Sequence, residues 1–286
     1  MPSIEKLVLP SPAKINRFLH IIGRRADGYH QLQTLFQFLD YGDELVIRHH
    51  ESLLLDTVLP ELRTESNLIL QAARLLQQAT GYSKGAHITL GKRLPMGGGV
   101  GGGSSNAATA LLGLNKLWDL GLNEVELAAL GLKLGADVPV FVRGRSAFAE
   151  GVGEQLTPMN PSEPWYVVLI PEAHVNTAVM YGHEDLTRDT PPIKVAAAED
   201  QKGKNDFEPL VRKLYPEVDK SLTLLDNFGH SSIEPAMLSG SGACVFAPFA
   251  SQETAASVLA KLRSKAKGFV ARGINSSPLH SALSEY

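Results

Sequence analysis

Residues 94–108 read LPMGGGVGGGSSNAA, in which Gly97, Gly98, Gly99, Gly101, Gly102 and Gly103 enclose a single Val100. Glycine costs folding entropy, so a cluster set in apolar sequence is kept for what bare backbone can do: turn with positive φ and let a ligand lie directly against the chain. Ser104, Ser105 and Asn106 follow, residue types that favour helix N-termini, and apolar positions then recur at helical spacing over 107–118. The pattern predicts a helix that starts where the glycines stop. Its unpaired N–H groups and the positive end of its dipole converge on one place, which suits phosphate. A flexible glycine–serine spacer is disfavoured because apolar sequence resumes on both sides. Gly97, Gly99 and Gly102 satisfy the dinucleotide spacing G-x-G-x-x-G, yet the required βαβ context is missing: Asp119 falls at the end of the helix, and 123–134 reads as another helix. No G-K-[ST] follows, which excludes a Walker A loop.

The chain has 286 residues, 44% hydrophobic and 20% charged, with a net charge of −3. That length allows one large or two modest domains with a substantial core, and the charge gives no general attraction to nucleic acid or to an anionic membrane. The basic stretch 261–267 reads as a solvated helix face. A single cysteine, Cys244, rules out an internal disulfide framework. No apolar run approaches about 18 residues, and a cytoplasmic address is expected.

Upstream of the glycines, 7–9 reads as a short strand, followed by an interruption and a second strand over 11–20 whose alternation puts Lys14, Asn16 and Phe18 on one face. An Asp27-Gly28 turn sets Tyr29 and His30 side by side before an apolar strand at 35–39. Then come a strand at 43–48, a helix at 67–78 and a strand at 87–90 that leads into the loop. Downstream, a helix at 123–134 ends at Gly135, and Asp137 lies two residues before Pro139. Strands at 146–150, 154–157 and 165–170, a polar loop at 187–204, and helices at 177–181, 207–214 and 218–228 follow. A second glycine–serine loop, LSGSGAC at 238–244, runs into a strand at 245–247, and a helix at 255–265 and a strand at 268–272 close the chain. Helices and strands alternate without a regular βαβ rhythm, which predicts an α+β architecture. Taken singly, Lys14 fits an exposed strand position and Asp137 a residue that caps or initiates a turn.

Five segments together carry a resemblance: PSPAKIN at 10–16, RRADGYHQLQTLFQ at 24–37, LPMGGGVGGGSSNAA at 94–108, LGADVPVFV at 134–142 and LSGSGACVF at 238–246. On these the chain resembles the GHMP small-molecule kinases, the group of galactokinase, homoserine kinase and mevalonate kinase. The resemblance implies an N-terminal domain over 1–160 with a left-handed βαβ crossover, a ferredoxin-like C-terminal domain over 161–286, and a site in the cleft between them. The segments at 24–37 and 134–142 narrow the implied reaction. It is transfer of the ATP γ-phosphoryl group to the 2-hydroxyl of a cytidine-diphosphate-linked methylerythritol, a step of the non-mevalonate isoprenoid route.

By matching position, Asp137 is expected to be the catalytic base and Lys14 its partner at the reacting hydroxyl. A tertiary alcohol is a poor nucleophile, so a carboxylate must accept its proton, and a nearby ammonium offsets charge on the transferring group. The resemblance assigns ATP to Asn67, Pro95, Met96, Gly97, Gly98, Gly99, Val100, Gly101, Gly102, Gly103, Ser104 and Ser105. It assigns the acceptor to Asn16, Tyr29, His30, Phe36, Thr177 and Tyr181 together with Asp137. Mg²⁺ is expected to bridge the phosphates, with Ser104 or Ser105 as its side-chain contact. The implied partners are these small molecules, with neither nucleic acid nor membrane, in a monomer or weak dimer. Val100 departs from an expected leucine, and Ala178 and Tyr181 stand near where proline and phenylalanine are expected. Another sugar or mevalonate-type kinase is the first alternative, which Tyr29 and His30 oppose. The second is a non-catalytic nucleotide or RNA binder, which the pairing of Lys14 with Asp137 opposes.

Overall fold

Two strands of unusual length frame the molecule: β1 (Lys6–Arg24) and β2 (His30–His50) pair antiparallel from Lys6 opposite Arg48 to Arg24 opposite His30. The computed structural model describes residues 5–201 and 203–286; the first four residues of the expected N-terminal domain and Lys202 of the expected loop lie outside it. The expected break between 7–9 and 11–20 is absent. β1 absorbs its prolines by slipping register between Pro12 and Lys14, and again between Asn16 and Leu19. The two strands expected at 35–39 and 43–48 are likewise one. Gly42, which reads as a turn signal, is needed because the backbone of Ser11 and Pro12 occupies the space of its Cβ.

After β2, β3 (Leu54–Thr57), α1 (Leu68–Thr80) and β4 (Gly85–Gly91) form a βαβ unit, with β3 parallel to β4 and β4 antiparallel to β2. Asn67 caps α1, its Oδ1 accepting from the Ile69 N–H. The loop helix α2 (Gly102–Leu117) begins inside the glycine run rather than after it. Gly101 is its N-cap at φ 74°, and Ser104, Ser105 and Asn106 lie in its first turns instead of capping it. Through Ala107, Leu111 and Leu114 this helix packs on Leu9, Ile47 and Ile88 of the sheet. α3 (Glu124–Leu132) follows, closed by a capping box between Asn123 and Glu126. α4 (Val138–Arg143) is an additional helix: its proline sits at the helix start, where a missing N–H costs nothing, and Asp137 takes the N-cap position. β5 (Ala147–Glu150) extends the sheet from β2, and β6 (Gln155–Pro158) pairs with β5.

The second half contains β7 (Trp165–Ile170), α5 (Thr177–Gly182), α6 (Glu208–Leu214), α7 (Pro216–Asp226), β8 (Met237–Leu238), β9 (Val245–Phe249), α8 (Gln252–Leu262) and β10 (Lys267–Ile274). Its strands run antiparallel in the order β10-β7-β9-β8, the fourth, first, third and second of this half, which is the ferredoxin-like arrangement. β10 also meets β2 through Gly273 and Ile274, so the two halves share one sheet, and α9 (Pro278–Ser284) returns to the first core with Leu279. The fold is the expected α+β class.

Three buried clusters decide where the cleft lies. One fills the first half, and a second fills the other half around Val167, Phe207, Leu222 and Val245. Leu19, Ile21 and Leu32, from the far end of the β1–β2 ribbon, belong to this second cluster, so the ribbon bridges the halves. The third cluster, with Ile15, Val100, Tyr166 and Cys244, sits at the junction. Among the described residues no helix is long and apolar enough to cross a membrane.

Candidate active site

The two glycine loops lie against each other. The N–H groups of Ala243 and Cys244 donate to the carbonyls of Gly97 (3.3 Å) and Gly98 (3.0 Å), and the Ser239 hydroxyl donates to that of Gly99 (3.0 Å). β1 holds the first loop from the other side, the Lys14 N–H donating to the Val100 carbonyl at 3.0 Å while the Val100 side chain is buried in the junction cluster. Burial pushes the Cys244 thiol up to about 12, so this cysteine is packing rather than chemistry. Asp43 of β2 pins the entry to the loop. Its carboxylate accepts from the N–H groups of Arg93 (2.7 Å) and Leu94 (2.8 Å) and pairs with the Lys92 ammonium at 2.7 Å. Asp43→Asn is expected to lower the unfolding free energy by about 2 kcal/mol, the worth of hydrogen bonds to a buried charge, as read from urea titration.

Above the loops opens a cleft of about 640 Å³. Lys14 is only 3% exposed at its base, and its Nζ lies 3.1 Å from Asp137 Oδ2. The same ammonium donates to Asn16 Oδ1 at 2.7 Å and to the Gly99 carbonyl at 3.2 Å, so each of its three hydrogens has a partner. Lys14 is therefore a fixed point charge. Asp137 occupies the N-cap position of α4, yet its side chain caps nothing, leaving the carboxylate, one-third exposed, to face Lys14 and the cleft. Burial and then the Asp137 charge push the phenol of Tyr181, on α5, above its ordinary value, which places the two halves in electrostatic contact here.

The orientation of Asn16 has its own support. Its Nδ2 donates to Thr34 Oγ1 at 2.9 Å, and that hydroxyl donates to the Phe18 carbonyl. The amide oxygen is thereby turned toward Lys14. Thr34→Val removes the acceptor and is expected to lower kcat about tenfold with the fold retained, while Thr34→Ser restores it. Steady-state kinetics on the two variants decides it.

Of the residues expected from sequence, Lys14, Asn16, Phe36, Asn67, Pro95, Met96, Gly97, Gly98, Gly99, Gly101, Gly102, Gly103, Ser104, Asp137, Thr177 and Tyr181 all line the cleft. Four others are placed differently. Val100 faces the junction core, and Ser105 is 1% exposed with its Oγ accepting from the Ser11 hydroxyl at 3.0 Å, so Ser104 is the hydroxyl on the cleft side. Tyr29 stands 65% exposed on its turn. His30 is buried one ring behind the wall, stacked on Tyr181 with centroids 4.6 Å apart. The cleft also has members that sequence reasoning missed: Lys92, Thr34, Asn106 and Ser241. Ser241 shares a 2.6 Å hydrogen bond with Thr177. The second glycine–serine loop was a usable signal for Ser241; Lys92, just past a strand end, carried none.

The arrangement suits two ligands meeting at Lys14 and Asp137. A loop and helix N-terminus made for phosphate lie on one side, and apolar walls from Phe36 and Tyr181 lie on the other.

The family model described as GHMP kinases N terminal domain matches residues 67–145, and that described as GHMP kinases C terminal matches 186–268. The chain is 56% identical to the 4-diphosphocytidyl-2-C-methyl-D-erythritol kinase of Pseudomonas savastanoi pv. phaseolicola, over 97% of this chain and 96% of that protein. With the kinase of the same name from Marinobacter nauticus it shares 52%, over 99% of each. A crystal structure of 4-(cytidine 5'-diphospho)-2C-methyl-D-erythritol kinase superposes with a TM-score of 0.80 at 33% identity, covering 93% of this chain and 99% of that one. A mevalonate kinase structure shares the fold at a TM-score of 0.69 and 16% identity, covering 94% of this chain and 100% of that one.

Proposed function

The chain belongs to the GHMP kinases and, among them, to the 4-diphosphocytidyl-2-C-methyl-D-erythritol kinase family; from that premise we propose that its cleft transfers the ATP γ-phosphoryl group to the 2-hydroxyl of 4-diphosphocytidyl-2-C-methyl-D-erythritol, with Asp137 as base and Lys14 as the fixed cation beside it. The 3.1 Å Lys14–Asp137 pair, set where the two glycine loops meet, carries this assignment. Asp137 accepts the hydroxyl proton as the oxygen attacks phosphorus, and Lys14 stabilises the charge that gathers between nucleophile and phosphoryl group. Backbone N–H groups of 97–103 and the start of α2 hold the triphosphate, and Asn67, Pro95 and Met96 line the nucleotide end. On the acceptor side, Asn16, Phe36 and Thr177 flank the methylerythritol, and His30, Tyr181 and Tyr29 of the exposed turn serve the cytosine.

The donor set fits a divalent cation held chiefly by phosphate oxygens and water. Ser104 and Asp137 are among the side-chain oxygens of the cleft that could reach such an ion, and among the described residues no group of three or more His, Cys, Asp or Glu side chains could form a cage of its own. Ser104 would be the side-chain contact of a Mg²⁺ brought in with the nucleotide, and such an ion would supply neutralisation of phosphate charge. The enzyme is proposed to act in the cytoplasm as a monomer or weak dimer, with its halves divided at 160/161.

Coupled ATP turnover with a panel of acceptors tests the assignment. Turnover is expected with the cytidine-linked methylerythritol and not with mevalonate, homoserine or galactose. Turnover on one of those three and none on the cytidine substrate overturns it.

A further inference from the structure

Behind the Tyr181 wall, Arg188 makes four hydrogen bonds from one half-buried guanidinium. Its Nη2 donates to the carbonyls of Tyr181 (2.8 Å) and His183 (2.7 Å), and its Nη1 donates to that of Leu186 (2.9 Å). Its Nε donates to His30 Nε2 at 3.1 Å. Three of these bonds lock the guanidinium to the turn after α5. The fourth crosses to β2, and it has a chemical consequence.

A guanidinium has five N–H donors and no acceptor, and it keeps its charge throughout the working range of a protein. The atom facing Arg188 Nε must therefore be an imidazole nitrogen with a free lone pair. A flipped ring would present carbon there, and an Nε2–H or an imidazolium would point hydrogen at hydrogen. His30 is thus neutral with its proton on Nδ1. Burial, then the charges of Arg188 and Arg24, hold its pKa below the ordinary histidine value, in the same sense. Among the described residues none bonds Nδ1, so its proton is not spent inside the protein.

We infer that Arg188 is a specificity-determining positioning residue: by fixing His30 as the Nδ1–H tautomer, it makes the side chain a hydrogen-bond donor, which matches N3 of a cytosine and opposes the N3–H of a uracil. The inference rests on the assignment of His30 to the base under the proposed function. A free histidine exchanges its proton between the two nitrogens and so offers either base a partner. One whose second nitrogen is committed to an arginine offers a donor only, and discrimination comes from the buried group left unpaired by the wrong base. Stacking on Tyr181 at 21° between ring planes keeps the imidazole from rotating to escape this.

Two measurements test it. In the ligand-free protein with ¹⁵N-labelled histidine, the His30 imidazole is expected to show a protonated Nδ1 and a pyridine-like Nε2. An Nε2–H spectrum overturns the inference whatever the kinetics show. In the second, kcat/KM is compared for the cytidine- and uridine-diphosphate forms of the acceptor at saturating ATP. Arg188→Met is expected to shrink the cytidine preference at least about tenfold, and Arg188→Lys, which can also only donate, is expected to retain most of it. A purely structural arginine would weaken both acceptors equally, and an unchanged ratio in Arg188→Met overturns the inference. His30→Ala separates the two levels: if it keeps the wild-type ratio, the assignment of the base to His30 falls. If it loses the ratio while Arg188→Met keeps it, the role of Arg188 alone falls.

Discussion

Asp137→Asn is expected to lower kcat by between about a hundredfold and ten-thousandfold, the range for removing a positioned general base, with the affinity for ATP changed far less. The amide has nearly the shape of the carboxylate but cannot take up the hydroxyl proton. The rest of the cleft should stand, because Lys14 keeps its bonds to Asn16 Oδ1 and the Gly99 carbonyl. The folded state should also lose little: the carboxylate is one-third exposed and makes no capping bond to α4. Single-turnover measurement with excess enzyme isolates the chemical step from product release. Asp137→Asn turning over at near the wild-type rate would leave Asp137 as no more than the residue at the start of α4.

The glycine loop was legible because its signal is local. A run of residues without Cβ followed by helical periodicity predicts a loop and then a helix regardless of what packs around them, and only the helix start was displaced, into the glycines at Gly102. The long strands were not legible as such. Pro10, Pro12 and Gly42 are turn residues by type, yet the bulge after Pro12 and the close approach of Gly42 to Ser11 keep both strands continuous. Only pairing over a distance decides such cases. The Lys14–Asp137 pair shows the same limit from the other side. Lys14 and Asp137 are 123 positions apart in sequence, and each alone has an ordinary explanation. The family resemblance joined them, and no periodicity could have. Arg188 and Lys92 carried no local signal at all, since each acts by meeting a side chain from a remote strand, His30 and Asp43.

Gly101→Ala and Gly102→Ala, adjacent in the loop, are expected to fail differently. Gly101 has φ 74°, and a Cβ there would lie 2.7 Å from the Phe141 ring and 3.0 Å from Lys14 Cγ. An L-residue in that conformation costs about 1–2 kcal/mol, and relief of the crowding can come only by moving Lys14 or the Phe141 ring of α4. Misplacement of a reacting group by about 1 Å can cost about a hundredfold, so Gly101→Ala is expected to lose about that factor in kcat/KM for ATP and to melt at a lower temperature. Gly102 lies within the helix, and the nearest atoms to its Cβ would be Lys92 Nζ at 3.3 Å and the Leu94 side chain at 3.4 Å. Its alanine variant should melt close to the wild type, because contacts of 3.3–3.5 Å with side chains are relieved by small shifts and alanine suits a helix. What its methyl obstructs is the cleft side, where phosphate approaches the backbone. ATP affinity in Gly102→Ala is therefore expected to fall about tenfold, or about 1.4 kcal/mol, with the fold intact. Calorimetric titration of ATP alongside thermal melts reads both variants at once. Unchanged ATP affinity in a fully folded Gly102→Ala protein would mean that the phosphates do not lie against this loop.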